Sequence, residues 1–174
     1  MKIITIFADR LFAFQYDDEE ENELDRLLNL WHDTEYLYDF MKQNKADLPA
    51  NKSVNKIVSQ IIRNAEDIED KLVELSENEN KNLAAFLKPL YNHEYNEVNL
   101  SKQKGRKNYL RIYALRIENN LFVITGGAIK FTLLMEEREH TANELIKIER
   151  CRNFLRENGV MDADSFFEFL IELQ

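Results

Sequence analysis

From Val54 to Leu75 the apolar side chains return every third or fourth residue, whereas from Tyr109 to Ile117 they fall close to every second one. Val54, Ile57, Val58, Ile61, Ile62, Ala65, Ile68, Leu72 and Leu75 make one stripe, opposite Arg63, Glu66, Asp67, Asp70 and Lys71. That is the pattern of an amphipathic helix with a solvated face. The run Tyr109-Leu-Arg-Ile-Tyr-Ala-Leu-Arg-Ile117 has strand period and strand composition. Both periods in separate segments of one chain predict an α+β domain, with helices segregated from an antiparallel sheet. A length of 174 residues suits one domain over residues 1–174 with its own core.

The flanking segments extend this reading. Residues 2–16 are β-branched and aromatic and predict a strand, or a hairpin bent near Ala8–Arg10. A helical hairpin spans about residues 18–90. Its first arm opens on the carboxylates Asp17–Glu23, which suit the dipole of a helix start, and carries Leu24, Leu27, Leu28 and Trp31, then Leu37, Phe40 and Met41. This arm is either continuous to Pro49 or broken near Asp33–Thr34. Ser53 caps the second arm, and a short helix over Leu83–Leu87 ends near Pro89. A β-meander follows over about residues 95–132. Its strands are Tyr109–Ile117, Leu121–Thr125 and Ala128–Thr132, joined by turns at Glu118–Asn120 and Gly126–Gly127. C-terminal helices fill about residues 136–173. One points Leu145, Ile148, Cys151 and Leu155 inward and stops at Gly159; the other starts near Asp164, with Ser165 and Glu168 at capping-box spacing.

Composition narrows the functional classes. One cysteine, Cys151, allows no intrachain disulfide and reads as a packed thiol in a reducing cytoplasm. The opening MKIITIFADR meets charge too early for a signal peptide, and no apolar run reaches the length of a membrane span. Four glycines leave little room for a glycine-rich nucleotide loop, and Gly126–Gly127 lacks the lysine of one. No cofactor or metal ligand set is recognisable. His32, Asp33, Glu35 and Glu19–Glu23 lack ligand spacing and read as a solvated helix start. His140, beside Arg138 and Glu139, is a candidate acid–base group or a surface histidine, and His93 has no evident partner.

Charge is unevenly distributed. Residues 1–100 hold 11 Lys+Arg against 21 Asp+Glu, and residues 101–174 hold 12 against 11. Between Lys102 and Arg116 stand six cations and no anion: Lys102, Lys104, Arg106, Lys107, Arg111 and Arg116. A basic strand region on an acidic chain is either a polyanion site or a set of partners for the acidic helices. Strand alternation places Arg111 with Tyr113 on one face and Arg116 on the other, so one arginine serves any given surface. Lys130 can join from the next strand. An Arg–Tyr–Lys cluster binds phosphate, stacks a base and stabilises developing charge.

The segment LRIYALRIENNLFVITGGAIKFTLLMEEREHTANEL, residues 110–145, resembles the C-terminal half of RelE/ParE-superfamily toxins, closest to the phage-derived, HigB-like branch. Arg111 and Tyr113 stand near that family's arginine strand, Gly126 and Gly127 near its glycine, and Lys130 and Thr132 in its lysine–threonine strand. The resemblance implies a RelE-like fold: an N-terminal strand, a helical insertion, an antiparallel meander and C-terminal helices. It also implies a toxin-like component of a toxin–antitoxin system, an RNA-directed endoribonuclease with RNA or the ribosome as target and an antitoxin as partner. Arg111 or Arg116, Tyr113 and Lys130 would be the catalytic set. Lys102, Lys104, Arg106 and Lys107 would hold nucleic acid. The chain departs from the family in its acidic balance and its long helical insertion.

The alternative is a non-catalytic protein-interaction module on the same fold, working through its acidic helices and its phenylalanine-rich tail. That tail, with Phe166, Phe167, Phe169, Leu170 and Leu173, also suits homodimerisation.

Overall fold

The hairpin at the N-terminus, β1 (Lys2–Phe7) and β2 (Leu11–Gln15), is drawn from β-branched and aromatic residues, and turns through Asp9 at φ 52°. The computed structural model describes residues 1–7, 9–78, 80–91 and 99–173. Four further strands follow the helical segment: β3 (Lys88–Pro89), β4 (Ser101–Lys107), β5 (Leu110–Glu118) and β6 (Leu121–Ile129). They form one six-stranded sheet in the order β1-β2-β6-β5-β4-β3. Neighbours are antiparallel except β2 and β6, which run parallel over Leu11–Ala13 and Phe122–Ile124. The sheet is therefore mixed, where an antiparallel one was expected. Asn108 and Asn120 turn the chain into β5 and β6 at φ 47° and 60°, a left-handed region that asparagine tolerates.

Helices cover both faces of the sheet. On one lie α1 (Glu23–His32), α2 (Thr34–Gln43) and α3 (Val54–Glu77). On the other lie α4 (Glu139–Glu157) and α5 (Ala163–Glu172). Alternation along β5 divides the core between them. Leu110, Ile112 and Ala114 join Leu27, Trp31, Ile61 and Ile68, while Tyr113, Leu115 and Ile117 join Ile148, Cys151 and Phe166. Each buried leucine, isoleucine or phenylalanine among them contributes roughly 1.5–3 kcal/mol through removal from water.

The expected first arm is two helices. Asp33 closes α1 and opens α2, its carboxylate accepting from the amide of Tyr36 at 3.1 Å. Ser53 caps α3 as its position predicts. At the other end of α3, Arg10 donates to the carbonyls of Leu75, Ser76 and Lys81 at 3.0, 3.0 and 3.2 Å. A cation thus satisfies helix-end carbonyls that have no partner within the helix. The cap of α5 is Asp162, with Ser165 as its partner three residues on, rather than Ser165 with Glu168.

Gly126 and Gly127 are not a turn. They lie inside β6, and neither has a positive φ. A Cβ on Gly126 would stand 2.0 Å from Glu144 Oε2, and one on Gly127 2.7 Å from Leu27 Cδ1. Two glycines in sequence let α4 and α1 approach the same strand from opposite sides.

Candidate anion-binding site

The cross-strand register builds the site. Lys104 pairs with Tyr113 and Arg106 with Arg111, so these four side chains share one sheet face. Lys130 reaches the same face through a β-bulge. Tyr113 pairs with Gly126 but Ala114 with Ile124, which leaves Thr125 as the extra residue of β6. The Thr125 hydroxyl donates to the carbonyl of Tyr113 at 3.2 Å, and its own carbonyl accepts from the Tyr16 hydroxyl at 2.6 Å. The bulge reverses the sense of the strand: Val123 and Ala128, an odd step apart, both pack on the α4–α5 side. Lys130 follows two residues later, its amide donating to the carbonyl of Tyr109 at 2.8 Å. An unbroken strand would have sent Lys130 to the opposite face.

Lys104, Arg106, Arg111, Tyr113 and Lys130 line one cavity of about 530 Å³. Arg111 donates to the carbonyls of Asn108 and Leu110 at 2.5 and 2.8 Å. Lys104 donates to the carbonyl of Leu90 at 3.1 Å, and Lys130 to that of Leu133. Among the described residues no carboxylate stands within ion-pair distance of these four cations. Burial, aided by Arg106, holds Arg111 down to about 10. Burial, then Arg111 and Lys104, lowers Lys130; burial, then Arg111 and Arg106, lowers Lys104.

Tyr113 completes the floor. It is 1% exposed, and its hydroxyl has no hydrogen-bond partner among the described residues. Burial pushes its phenol well above the usual range, so the group stays protonated and can donate. A buried hydroxyl without a partner carries a desolvation cost of about 1–3 kcal/mol. Four cations facing one another add a repulsive cost. An anion in the cavity relieves both, and the arginine fork matches the geometry of a phosphate or carboxylate.

The other basic residues stand elsewhere. Lys102 pairs with Glu149 of α4 and Lys107 with Asp67 of α3, each at 2.9 Å. For these two, pairing with the acidic helices holds. Arg116 lies opposite Ser101 and Phe122, lines a separate small cavity with them and donates to the carbonyl of Glu118 at 3.4 Å. Its parity puts it on the α1–α3 face, apart from Arg111, as strand alternation requires. His140 meets the carbonyl of Ile129 at 2.9 Å and the ring edge of Phe40 at 5.2 Å between centroids, outside the cationic cavity. Cys151 is buried against the Tyr16 hydroxyl at 3.1 Å, and burial pushes its thiol up to about 12. His93 lies outside the described residues. Phe166 and Phe169 of the tail are buried against this chain's own core.

Several residues of the site escape the sequence reading. Tyr109, Phe131 and Lys52 line the same cavity. Asn64, buried on α3, accepts from the Asn108 side chain at 3.0 Å and so holds the turn whose carbonyl receives Arg111. A second charged group corrects the expectation of a solvated helix start over Glu19–Glu23. Glu23 is instead buried and takes a two-point bond from Arg26 at 2.7 and 3.0 Å. Lys147 bridges Glu23 and Glu144 at 2.8 and 3.1 Å, tying α1 to α4. Among the described residues no group of three or more His, Cys, Asp or Glu is gathered for a metal ion, and no helix is long and apolar enough to cross a membrane.

No known protein family, no curated protein and no solved structure matches this chain.

Proposed function

We propose that this chain is a toxin-like, RNA-directed protein of the RelE/ParE kind, with the Lys104–Arg106–Arg111–Lys130 cavity as its phosphate site. The observation that carries the reading is one cavity, lined also by Glu136, in which four cations have no carboxylate within ion-pair distance and a tyrosine hydroxyl has no hydrogen-bond partner among the described residues. A backbone phosphate supplies what those groups lack: negative charge and several acceptor oxygens. In RNA cleavage the ribose 2′-oxygen attacks phosphorus, its proton passes to water and the bond to the 5′-oxygen breaks; Arg111 and Lys130 stabilise the charge that builds on the phosphorus oxygens, and Tyr113 donates to one of them. Lys104 and Arg106 position the adjoining backbone. Asp67 of α3 and Glu149 of α4 are paired with Lys107 and Lys102, so RNA approaches a local positive field on a negative molecule. An antitoxin and the ribosome are the partners this reading calls for.

Growth after inducible expression tests it. The wild type is expected to arrest growth, and Arg111→Ala or Lys130→Ala at equal soluble level to relieve the arrest. Normal growth with the wild type would discard the toxin reading in favour of a non-catalytic interaction module.

A further inference from the structure

Beside its cationic floor the cavity has an aromatic wall. Tyr109 and Phe131 line it with ring centroids 4.8 Å apart and planes at 53°, half-buried and facing the same space as Arg111 and Lys130. Lys52, from the segment before α3, lies 5.5 Å over the Tyr109 ring and donates to its hydroxyl at 3.3 Å, which holds the ring from outside the sheet. Leu133 and Leu134, 90% and 61% exposed, line the same cavity. Two successive leucines in water at the mouth of a basic cavity serve no core. Apolar surface of this kind marks a binding surface.

Resting on the reading above, we infer that the cavity takes a whole nucleotide of single-stranded RNA, its phosphate on Arg111 and Lys130 and its base against Tyr109–Phe131 and Leu133–Leu134. Phosphate alone would use the floor and leave the wall and the leucines idle. A double-stranded helix keeps its bases stacked inside and cannot present one to the wall, whereas a single strand splays its bases onto aromatic faces. The ring faces are tolerant of base identity, so affinity is gained with little sequence preference.

The test compares adenosine 5′-monophosphate, ribose 5-phosphate and a four-nucleotide oligoadenylate by calorimetry on the full chain. The base is expected to tighten binding roughly fivefold or more over ribose 5-phosphate, as one stacked base does elsewhere. The oligomer should bind tighter still and displace the mononucleotide. Tyr109→Leu and Phe131→Leu keep apolar volume but remove the ring face. Each should erase the difference between nucleotide and sugar phosphate at unchanged ribose 5-phosphate affinity, measured where the variant is fully folded. Equal affinities for the two monophosphates, with binding still lost in Arg111→Ala, would overturn the base site and leave the phosphate site standing. An oligomer that binds no tighter than the mononucleotide would overturn the RNA assignment in favour of a free nucleotide. Binding indifferent to Arg111→Ala would overturn this inference and the phosphate site together.

Discussion

Arg106 and Arg111 stand directly opposite one another across β4 and β5, with no carboxylate between them among the described residues. Like charges in that relation destabilise a sheet by roughly 0.2–1 kcal/mol. Such a pair, half-buried at Arg111, makes sense as a site held ready for an anion. Arg106→Thr should therefore raise the urea midpoint of the free protein slightly while weakening its binding of a phosphate-bearing ligand. A variant that is both less stable and undiminished in binding would show that the pair is ordinary surface.

Asn64 acts on the site at one remove, through Asn108 and its carbonyl to Arg111. Asn64→Ala should cost about 1 kcal/mol in stability for the lost hydrogen bond. It should also lower RNA affinity by less than Arg111→Ala does. In a double-mutant cycle the two losses should not add, because both act through the same guanidinium. Additive losses would mean that Asn64 supports the fold without positioning Arg111.

Arg10 ties the N-terminal hairpin to the end of α3 far from the cavity. Arg10→Ala removes a charged donor from the helix-end carbonyls of Leu75 and Ser76 and from that of Lys81 beyond α3, and a loss of about 1.5–3 kcal/mol is expected in urea unfolding. RNA affinity of the folded variant should not change.

Glu144 sets a pH dependence. Burial raises its carboxyl above the ordinary 4.5, against the pull of Lys147. Between 4.5 and that elevated value the folded chain holds more protons than the unfolded one, so stability falls as pH rises through this window. Glu144→Gln removes the titration, and its urea midpoint relative to the wild type should climb with pH from 4.5 upward. A constant difference across that range would refute the raised value.

Much of the fold is legible because two signals are local. The stripe from Ile57 to Leu75 and the alternation from Leu110 to Ile117 each need only their own neighbours, and both elements form where their periods place them. Gly126–Gly127 misleads because the reason for those glycines lies in Glu144, Leu27 and the Arg111 carbonyl, none of them a sequence neighbour. The parallel pairing of β2 with β6 is hidden for the same reason. Opposite faces for Arg111 and Arg116 follow from alternation alone. Lys130 reaches the Arg111 face by a bulge at Thr125 that no local pattern announces. The fates of Lys102 and Lys107 depend on Glu149 and Asp67, and charge counts along a chain do not say which cations will find partners.

The most direct test of the phosphate site is a salt series of binding to a short single-stranded RNA. Wild type, Arg111→Ala and Lys107→Ala are compared at equal fold stability. Each phosphate contact to a single strand contributes about 0.7 to the slope of log affinity against log salt. Arg111→Ala should weaken binding and flatten the slope by about that amount, while Lys107→Ala, already paired with Asp67, should leave both nearly unchanged. Equal losses in the two variants, or none in Arg111→Ala, would contradict the assignment of the cavity as the RNA site.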